Sequence, residues 1–344
     1  MKTVLVVFGG MSSEHDVSVR SAYCVSNQLI SNGYPVQYMY QTRKGVWLHS
    51  SGRHTHFISE NEMLKSLSPV RDVLSSLRQA DVVFPLIHGF QGEDGTIQGF
   101  LTFMGIPYVG CGVKASSLCF DKSLAKRMLK IDGIPQSRYI HFTIEDYETN
   151  YRSKLKEILH FFSFPLYVKP ACSGSSIGIT RVTHAYDLER AIRQAFKHGE
   201  VCLIEEEIVG REIEVGVLYQ DGKWLISPPG EIITDSEFYD YESKYHKPST
   251  LTRVPADLSQ HTLGEIHTIT RQVIDTLGIT SYARLDLFVK KETERVYANE
   301  VNTVPGFTSR SMYPLLMEAA GIPYEKLLDT LIMNAFHHNK GAVI

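Results

Sequence analysis

The chain has 344 residues, 43% of them hydrophobic and 21% charged, with a formal net charge of −3. A chain of that size buries large cores and divides into two or three domains, and its balance is that of an ordinary globular protein rather than a general nucleic-acid binder. No run approaches the about 18 apolar residues that a membrane span needs, and five cysteines without CxxC spacing point to a reducing compartment and no zinc site.

Residues 3–8 are a continuous β-rich run, as in a strand buried on both faces. The opening MKTVLVVFGG ends in Gly-Gly rather than at a small-residue cleavage site, so it reads as a first strand and not a signal peptide. Gly9-Gly10-Met11-Ser12-Ser13-Glu14 follows, then a helix to about residue 32. Strand, Gly-rich turn and helix let a ligand approach the turn. The GxGxxG fingerprint is absent, which removes a dehydrogenase reading. Glu14 serves either the helix dipole or a ligand.

Residues 82–87 form the next strand, and His88 stands at its C-terminal end, where sites form in open α/β folds. A histidine there could equally cap loop carbonyls. Gln91-Gly92-Glu93-Asp94-Gly95 leads into a helix over 96–104. A short strand at 106–109 and a Gly110-Cys111-Gly112 linker close the first domain. Asp121 reads as the N-cap of a helix over 122–130. After a strand at 164–169, residues 171–178 make a small Gly/Ser-rich turn whose N–H groups and hydroxyls suit phosphate oxygens, although an ordinary hairpin loop has the same composition. A helix over 186–197 precedes a strand at 201–204 that runs into Glu205-Glu206-Glu207-Ile208. That sequence suits an adenine slot or a solvated face.

Another sheet begins at 213–218, with Gln220-Asp221-Gly222 as a hairpin turn. Residues 234–252 are long, irregular and tyrosine-rich, which reads as a lid. A helix over 260–277 stops at Gly278, and helices over 313–320 and 324–337 finish the chain. Between them, alternating runs at 282–289 and 296–301 flank Lys-Lys-Glu-Thr-Glu, a hairpin signal. Arg284 and Asp286 share one face of their strand, and Glu300 and Asn302 share one of theirs. A turn centred on Thr293 puts Asp286 opposite Glu300. Three hard oxygen ligands beside a cation suit magnesium carrying a polyphosphate better than zinc; a surface salt bridge is the plain alternative.

Six motifs occur in order: GGMSSEHDVS, HGFQGEDGTIQG, the Lys-Pro…GSSIG loop, FYDYESKY, ARLD and NEVNTVPGFTSRSMYP. On these the chain resembles the D-alanine–D-alanine ligases of the ATP-grasp superfamily over nearly its whole length. The resemblance implies an α/β fold: a Rossmann-like N-terminal domain (1–110), then two α+β domains (111–207 and 208–344) that grip ATP. It implies phosphorylation of one D-alanine carboxylate and attack by the amine of a second. It also implies two magnesium ions, with manganese as a substitute, a homodimer and the bacterial cytoplasm.

Site roles carry over on the same terms. Asp286, Glu300 and Asn302 match metal ligands, and Lys122 and Lys169 match lysines on the α- and β-phosphates. Lys244 matches a lid lysine near the transferred phosphate. Ser175 and Ser176 belong to the phosphate loop. Glu205, Glu207, Ile208 and Glu212 match the adenosine edge, with Glu212 on the ribose. Glu14 matches the carboxylate for the first substrate's ammonium, with His88 close by. Glu14, Ser175 and Tyr245 match a triad that closes the lid. Arg284 and the Gly306 N–H match oxyanion stabilisers, and Ser311 the group for the second substrate's carboxylate. Met312, apolar beside it, suits the methyl of D-alanine. Cys172, Ser173 and Glu206 depart from residues common in relatives. The competing expectations are a ligase with D-serine or D-lactate as second substrate and a silent ATP-binding regulator.

Overall fold

The computed structural model describes residues 2–50, 56–233 and 251–338. In chain order the first unit comprises β1 (Val4–Gly9), α1 (His15–Ser31), β2 (Val36–Gln41), β3 (Trp47–Ser50), α2 (Glu60–Lys65), β4 (Ser68–Pro69), α3 (Val73–Arg78), β5 (Val82–Pro85) and α4 (Thr96–Phe103). Its sheet has the order β4-β3-β2-β1-β5, and β1 runs parallel to both β2 and β5. All six residues of β1 are buried, as expected of a strand covered on both faces. The 106–109 run does not extend the sheet as a strand. It contributes a single parallel bridge, Val83 to Tyr108, because the chain turns away at once into Gly110, at φ 124°.

Next come α5 (Val113–Phe120), α6 (Lys122–Ile131), β6 (Tyr139–Thr143), α7 (Ile144–Phe161), β7 (Leu166–Pro170), β8 (Thr180–Val182), α8 (Leu188–Ala195) and β9 (Val201–Glu206). The four strands form an antiparallel sheet, β6-β9-β7-β8, with α7 and α8 on its core. Asp121 caps α6, accepting from the N–H groups of Ser123 and Leu124.

The last elements are β10 (Gly210–Gln220), β11 (Lys223–Ile226), β12 (Gly230–Ile233), β13 (Leu251–Arg253), α9 (Gln260–Leu277), β14 (Tyr282–Lys290), β15 (Val296–Asn302), α10 (Met312–Ala319) and α11 (Tyr324–His338). The third sheet runs β13-β12-β10-β14-β15, with β11 paired to β10. Asp221 and Gly222 both have positive φ, the conformation a two-residue hairpin turn demands. Gly278 ends α9 in the left-handed region. Helices α5 and α6 bury Ala115, Cys119, Ala125 and Leu129 in the core that α9 shares with β14 and β15. Helix α11 returns to the first sheet, where Leu327, Leu328 and Leu331 pack with Val4, Phe8 and Phe84.

Among the described residues, no helix is long and apolar enough to cross a membrane. Most of the expected lid, with Lys244 and Tyr245, lies outside the described residues; its last part forms β13 against β12.

Candidate active site

Glu14 immediately precedes α1 but does not cap it, because its side chain makes no capping hydrogen bond. Its carboxylate instead accepts a short hydrogen bond from the Ser175 hydroxyl, 161 residues away in sequence. Two glycines make room for it. A Cβ on Gly89 would stand 2.8 Å from Glu14 Oε2, and one on Gly174 would stand 2.8 Å from the carboxyl carbon. Ser175 and Ser176 sit at φ 50° and 58°, so the loop turns sharply where it meets Glu14. Lys122 Nζ donates to the Ser173 carbonyl at 2.6 Å, and Ser173 Oγ donates to the Ile177 carbonyl at 3.1 Å. Ser173 thus braces its own loop.

His88 is buried, with Nε2 3.3 Å from Ser21 Oγ, which also accepts from the Phe307 N–H at 3.3 Å. One serine on α1 therefore ties the end of the first sheet to the loop that carries Gly306. Burial holds the His88 imidazole below its usual range, and Arg284 adds to this; Glu14 and a hydrogen bond to the Val304 backbone oppose it. The motif around His88 hides a further carboxyl that the sequence reading quoted without singling it out. Glu93 Oε2 accepts from the Gly89 N–H at 3.0 Å. Burial, followed by the Glu14 charge, pushes its carboxyl up to about 8, against the pull of the Gly89 N–H and Lys122.

The hairpin places Asp286 opposite Glu300 and Arg284 opposite Asn302. Counting back from the Val289–Val296 pair without interruption would put Asn299 opposite Asp286. A bulge between Asp286 and Leu287 shifts the register by one and brings Glu300 there. Arg284 forks onto Asp286 with Nε–Oδ1 of 2.7 Å and Nη2–Oδ2 of 2.8 Å, and its Nε is 3.0 Å from Glu214 Oε2 on β10. Burial works against this cation, but the two carboxylates outweigh it and raise its pKa further. Asn302 Nδ2 donates to Asp286 Oδ2 at 3.1 Å, and Lys122 Nζ is 3.5 Å from Glu300 Oε2.

Ser311 precedes α10, and its Oγ accepts from the Thr308 N–H at 3.0 Å. A Cβ on Gly306 would stand 2.9 Å from that Oγ, so glycine lets the two groups crowd together. Met312 is 6% exposed among Ile232, Leu316 and Val254.

A cavity of about 1780 Å³ gathers Glu14, His88, Glu93, Lys122, Ser175, Ser176, Arg284, Glu300, Asn302, Gly306, Ser311 and Met312. Residues from the first sheet, the Gly/Ser loop and the hairpin thus meet in one chamber. Lys169, Glu205, Glu207, Ile208, Glu212 and Asp286 are not part of its lining. Glu207 is held by Arg181 (Nε–Oε1 2.6 Å) and by Tyr167 Oη at 3.2 Å. Glu206 pairs with Arg138 at 2.7 Å. Glu205 turns inward to two lysines, at 2.6 Å from Lys126 Nζ and 2.5 Å from Lys169 Nζ. Lys126 carried no expectation from sequence; its only signal is its place one helical turn after Lys122.

Among the described residues, no group of three or more His, Cys, Asp or Glu side chains is arranged to hold a metal. Asp286, Glu300 and Asn302 offer two carboxylates and an amide oxygen on paired strands, a hard donor set that suits magnesium if phosphate oxygens complete the shell. It does not suit zinc.

Residues 3–111 match the family model described as D-ala D-ala ligase N-terminus, and residues 128–333 match the model described as D-ala D-ala ligase C-terminus. A D-alanine–D-alanine ligase of Caldicellulosiruptor bescii is 42% identical, covering 98% of this chain and 96% of its own length. One of Clostridium acetobutylicum is 40% identical, covering 98% and 99%. Among solved structures, the D-alanine–D-alanine ligase of Coxiella burnetii superposes with a TM-score of 0.84 at 32% identity, covering 99% of this chain and 95% of that one. The VanG D-Ala:D-Ser ligase of Enterococcus faecalis also reaches 0.84, at 34% identity, covering 97% and 99%. With both halves of the chain matched by family models and relatives aligned along nearly all of it, this chain belongs to the D-alanine–D-alanine ligase family.

Proposed function

We propose that the chain joins two molecules of D-alanine at the expense of ATP, releasing ADP, phosphate and D-alanyl-D-alanine for peptidoglycan precursors. The observation that carries this reading is the single cavity in which Glu14 with Ser175, Arg284 with Gly306, and Lys122 all meet. An oxygen of the first D-alanine carboxylate attacks the γ-phosphorus, giving an acyl phosphate and ADP. The amine of the second D-alanine then attacks the acyl carbon, loses a proton, and phosphate departs. Both steps demand positioning and charge neutralisation more than covalent protein chemistry.

Glu14 receives the first substrate's ammonium, and its bond to Ser175 fixes the carboxylate for that task. Arg284 and the Gly306 N–H face the oxygen that turns negative when the acyl carbon becomes tetrahedral. Lys122 and Lys169 hold phosphate oxygens, and Ser311 receives the second carboxylate. Asp286, Glu300 and Asn302 would hold magnesium, which supplies screening of phosphate charge when bound. Two such ions, the substitution by manganese, a homodimer and a cytoplasmic location belong to the same reading and rest on family resemblance. So do the assignments of Lys244, Tyr245, Glu207, Ile208 and Glu212.

The second substrate is read as D-alanine because Met312 gives an apolar wall beside Ser311, backed by Ile232 and Leu316. An apolar contact rejects an added hydroxyl by roughly a hundredfold at best, so D-serine is a weak competitor. ADP release with and without D-alanine tests ligase chemistry. Competition at pH 7 among equimolar D-alanine, D-serine and D-lactate, with products quantified, tests the choice. A majority of D-alanyl-D-serine or D-alanyl-D-lactate overturns the D-alanine assignment and leaves the ligase reading in place.

A further inference from the structure

Behind Lys122, one turn along α6, three charged side chains are buried together. Lys126 is 1% exposed, Glu205 4% and Lys169 6%. Lys126 Nζ lies 2.6 Å from Glu205 Oε1, donates to Ser137 Oγ at 2.9 Å, and stands 5.4 Å from the centre of the Tyr139 ring. The other Glu205 oxygen, Oε2, is 2.5 Å from Lys169 Nζ. The carboxylate is therefore divided, one oxygen to each lysine. Lys126 belongs to α6, Lys169 to β7 and Glu205 to β9, so the cluster joins three elements.

A buried ion pair of this kind is a poor way to stabilise a fold, because an apolar side chain of similar volume usually does as well or better. Here two lysines share one carboxylate. Burial, and then the Lys169 charge, push Lys126 well below the usual lysine range.

We propose that Lys126 is a positioning residue for the nucleotide: its ion pair with Glu205 Oε1 keeps that carboxylate divided, so that when a nucleotide draws Lys169 to its phosphate, Oε2 is left to accept from the base. The proposal rests on the reading of Glu205 and Lys169 as nucleotide-site residues. An ionised carboxylate only accepts hydrogen bonds. Held in place, it welcomes the exocyclic amine of adenine and repels the carbonyl oxygen that hypoxanthine carries there. Without Lys126, Glu205 has a single cation to face. It closes onto Lys169 with both oxygens, and base and phosphate lose their partners together.

The test uses Lys126→Met in the full chain, with ATP and inosine triphosphate as probes. Calorimetry on wild type and variant gives binding of each nucleotide, and steady-state kinetics give KM for ATP and for D-alanine. Losing a charge-assisted contact predicts ATP binding weaker by about tenfold or more. The preference for ATP over inosine triphosphate falls by a similar factor, while KM for D-alanine stays within about twofold. Should that variant fail to fold, Ser137→Ala releases the second tether of Lys126 and keeps its charge; a smaller change in the same direction is expected. Wild-type nucleotide affinities and preference in a folded Lys126→Met or Ser137→Ala protein, whatever its melting temperature, would overturn the proposal. Wild-type protein that binds no ATP would instead overturn the ligase reading, and this inference with it.

Discussion

Replacing Gly174 with alanine isolates the contact on which the proposed first-substrate site depends. Gly174 is not among the residues held at positive φ, so alanine suits its backbone. What the new methyl meets is the Glu14 carboxyl, with the carboxyl carbon at 2.8 Å and Oε1 at 3.1 Å, closer than carbon atoms pack. Glu14 must give way. On its other flank lies Gly89, where a Cβ would stand 2.8 Å from Oε2. The carboxylate therefore leaves Ser175, and the site loses a charge-assisted hydrogen bond that contributes about 1.5–3 kcal/mol. If that bond orients the group for the ammonium, as proposed, kcat/KM for D-alanine should fall roughly 10- to 150-fold at saturating ATP. Stability should fall by no more than that bond contributes, since the loop from Ser173 to Ile179 has no fully buried side chain and the displaced carboxylate is the free end of a flexible chain. The assay is ADP release against D-alanine concentration, paired with thermal unfolding. Unchanged kcat/KM in a folded Gly174→Ala protein would refute the account of Glu14 given above.

Two further outcomes are expected. Glu300→Gln should cut turnover by orders of magnitude, with circular dichroism unchanged, because the charge of a proposed ligand opposite Asp286 is gone; near-normal rates at saturating ATP and magnesium would remove Glu300 from the proposed metal set. Glu93 makes ligand-free stability depend on pH. Its carboxyl is raised from 4.5 to about 8 on folding, so the folded chain keeps a proton that the unfolded chain has shed. Stability from this group is present at low pH and declines by up to ~1.4 kcal/mol per pH unit as pH rises from about 4.5 towards 8. Glu93→Gln keeps an acceptor for the Gly89 N–H and should flatten that slope in denaturant titrations, and equal slopes in both proteins would contradict it.

The parts of the site legible in sequence were those fixed by local periodicity. Alternation along 282–302, with a polar turn, was enough to place Asp286 against Glu300, although the pairing is reached through a bulge that no alternation rule announces. Asp121 and Gly278 declared their helix ends because capping is a one-residue property. Other elements escaped. Helix α5 is eight residues long, carries two serines and has only glycine as its N-cap, so nothing in its sequence outweighs the linker before it. Strands β2 and β3 are half-exposed in places and mix polar with aromatic residues, which blurs a period of two. Contacts between distant segments were least visible. The inward turn of Glu205 depends on Lys126 and Lys169 from two other elements, and the bond from Ser175 to Glu14 spans 161 positions. The resemblance to known ligases named both residues; local chemistry alone left Glu14 divided between a helix dipole and a ligand.

The return of α11 to the first sheet has a consequence for how the protein is made. A ribosome delivers α11 more than three hundred residues after β1. Until Leu327, Leu328 and Leu331 emerge, Val4, Phe8 and Phe84 lack part of the apolar cover that they have in the finished fold. Domains that complete themselves early can fold in sequence behind the ribosome. This one cannot finish its first core until α11 is out, so the nascent chain carries an open apolar face while the residues between β1 and α11 are made. Its yield in the cell should then be more sensitive to damage in α11 than to equal damage in α7, whose core closes with residues of the same stretch of chain.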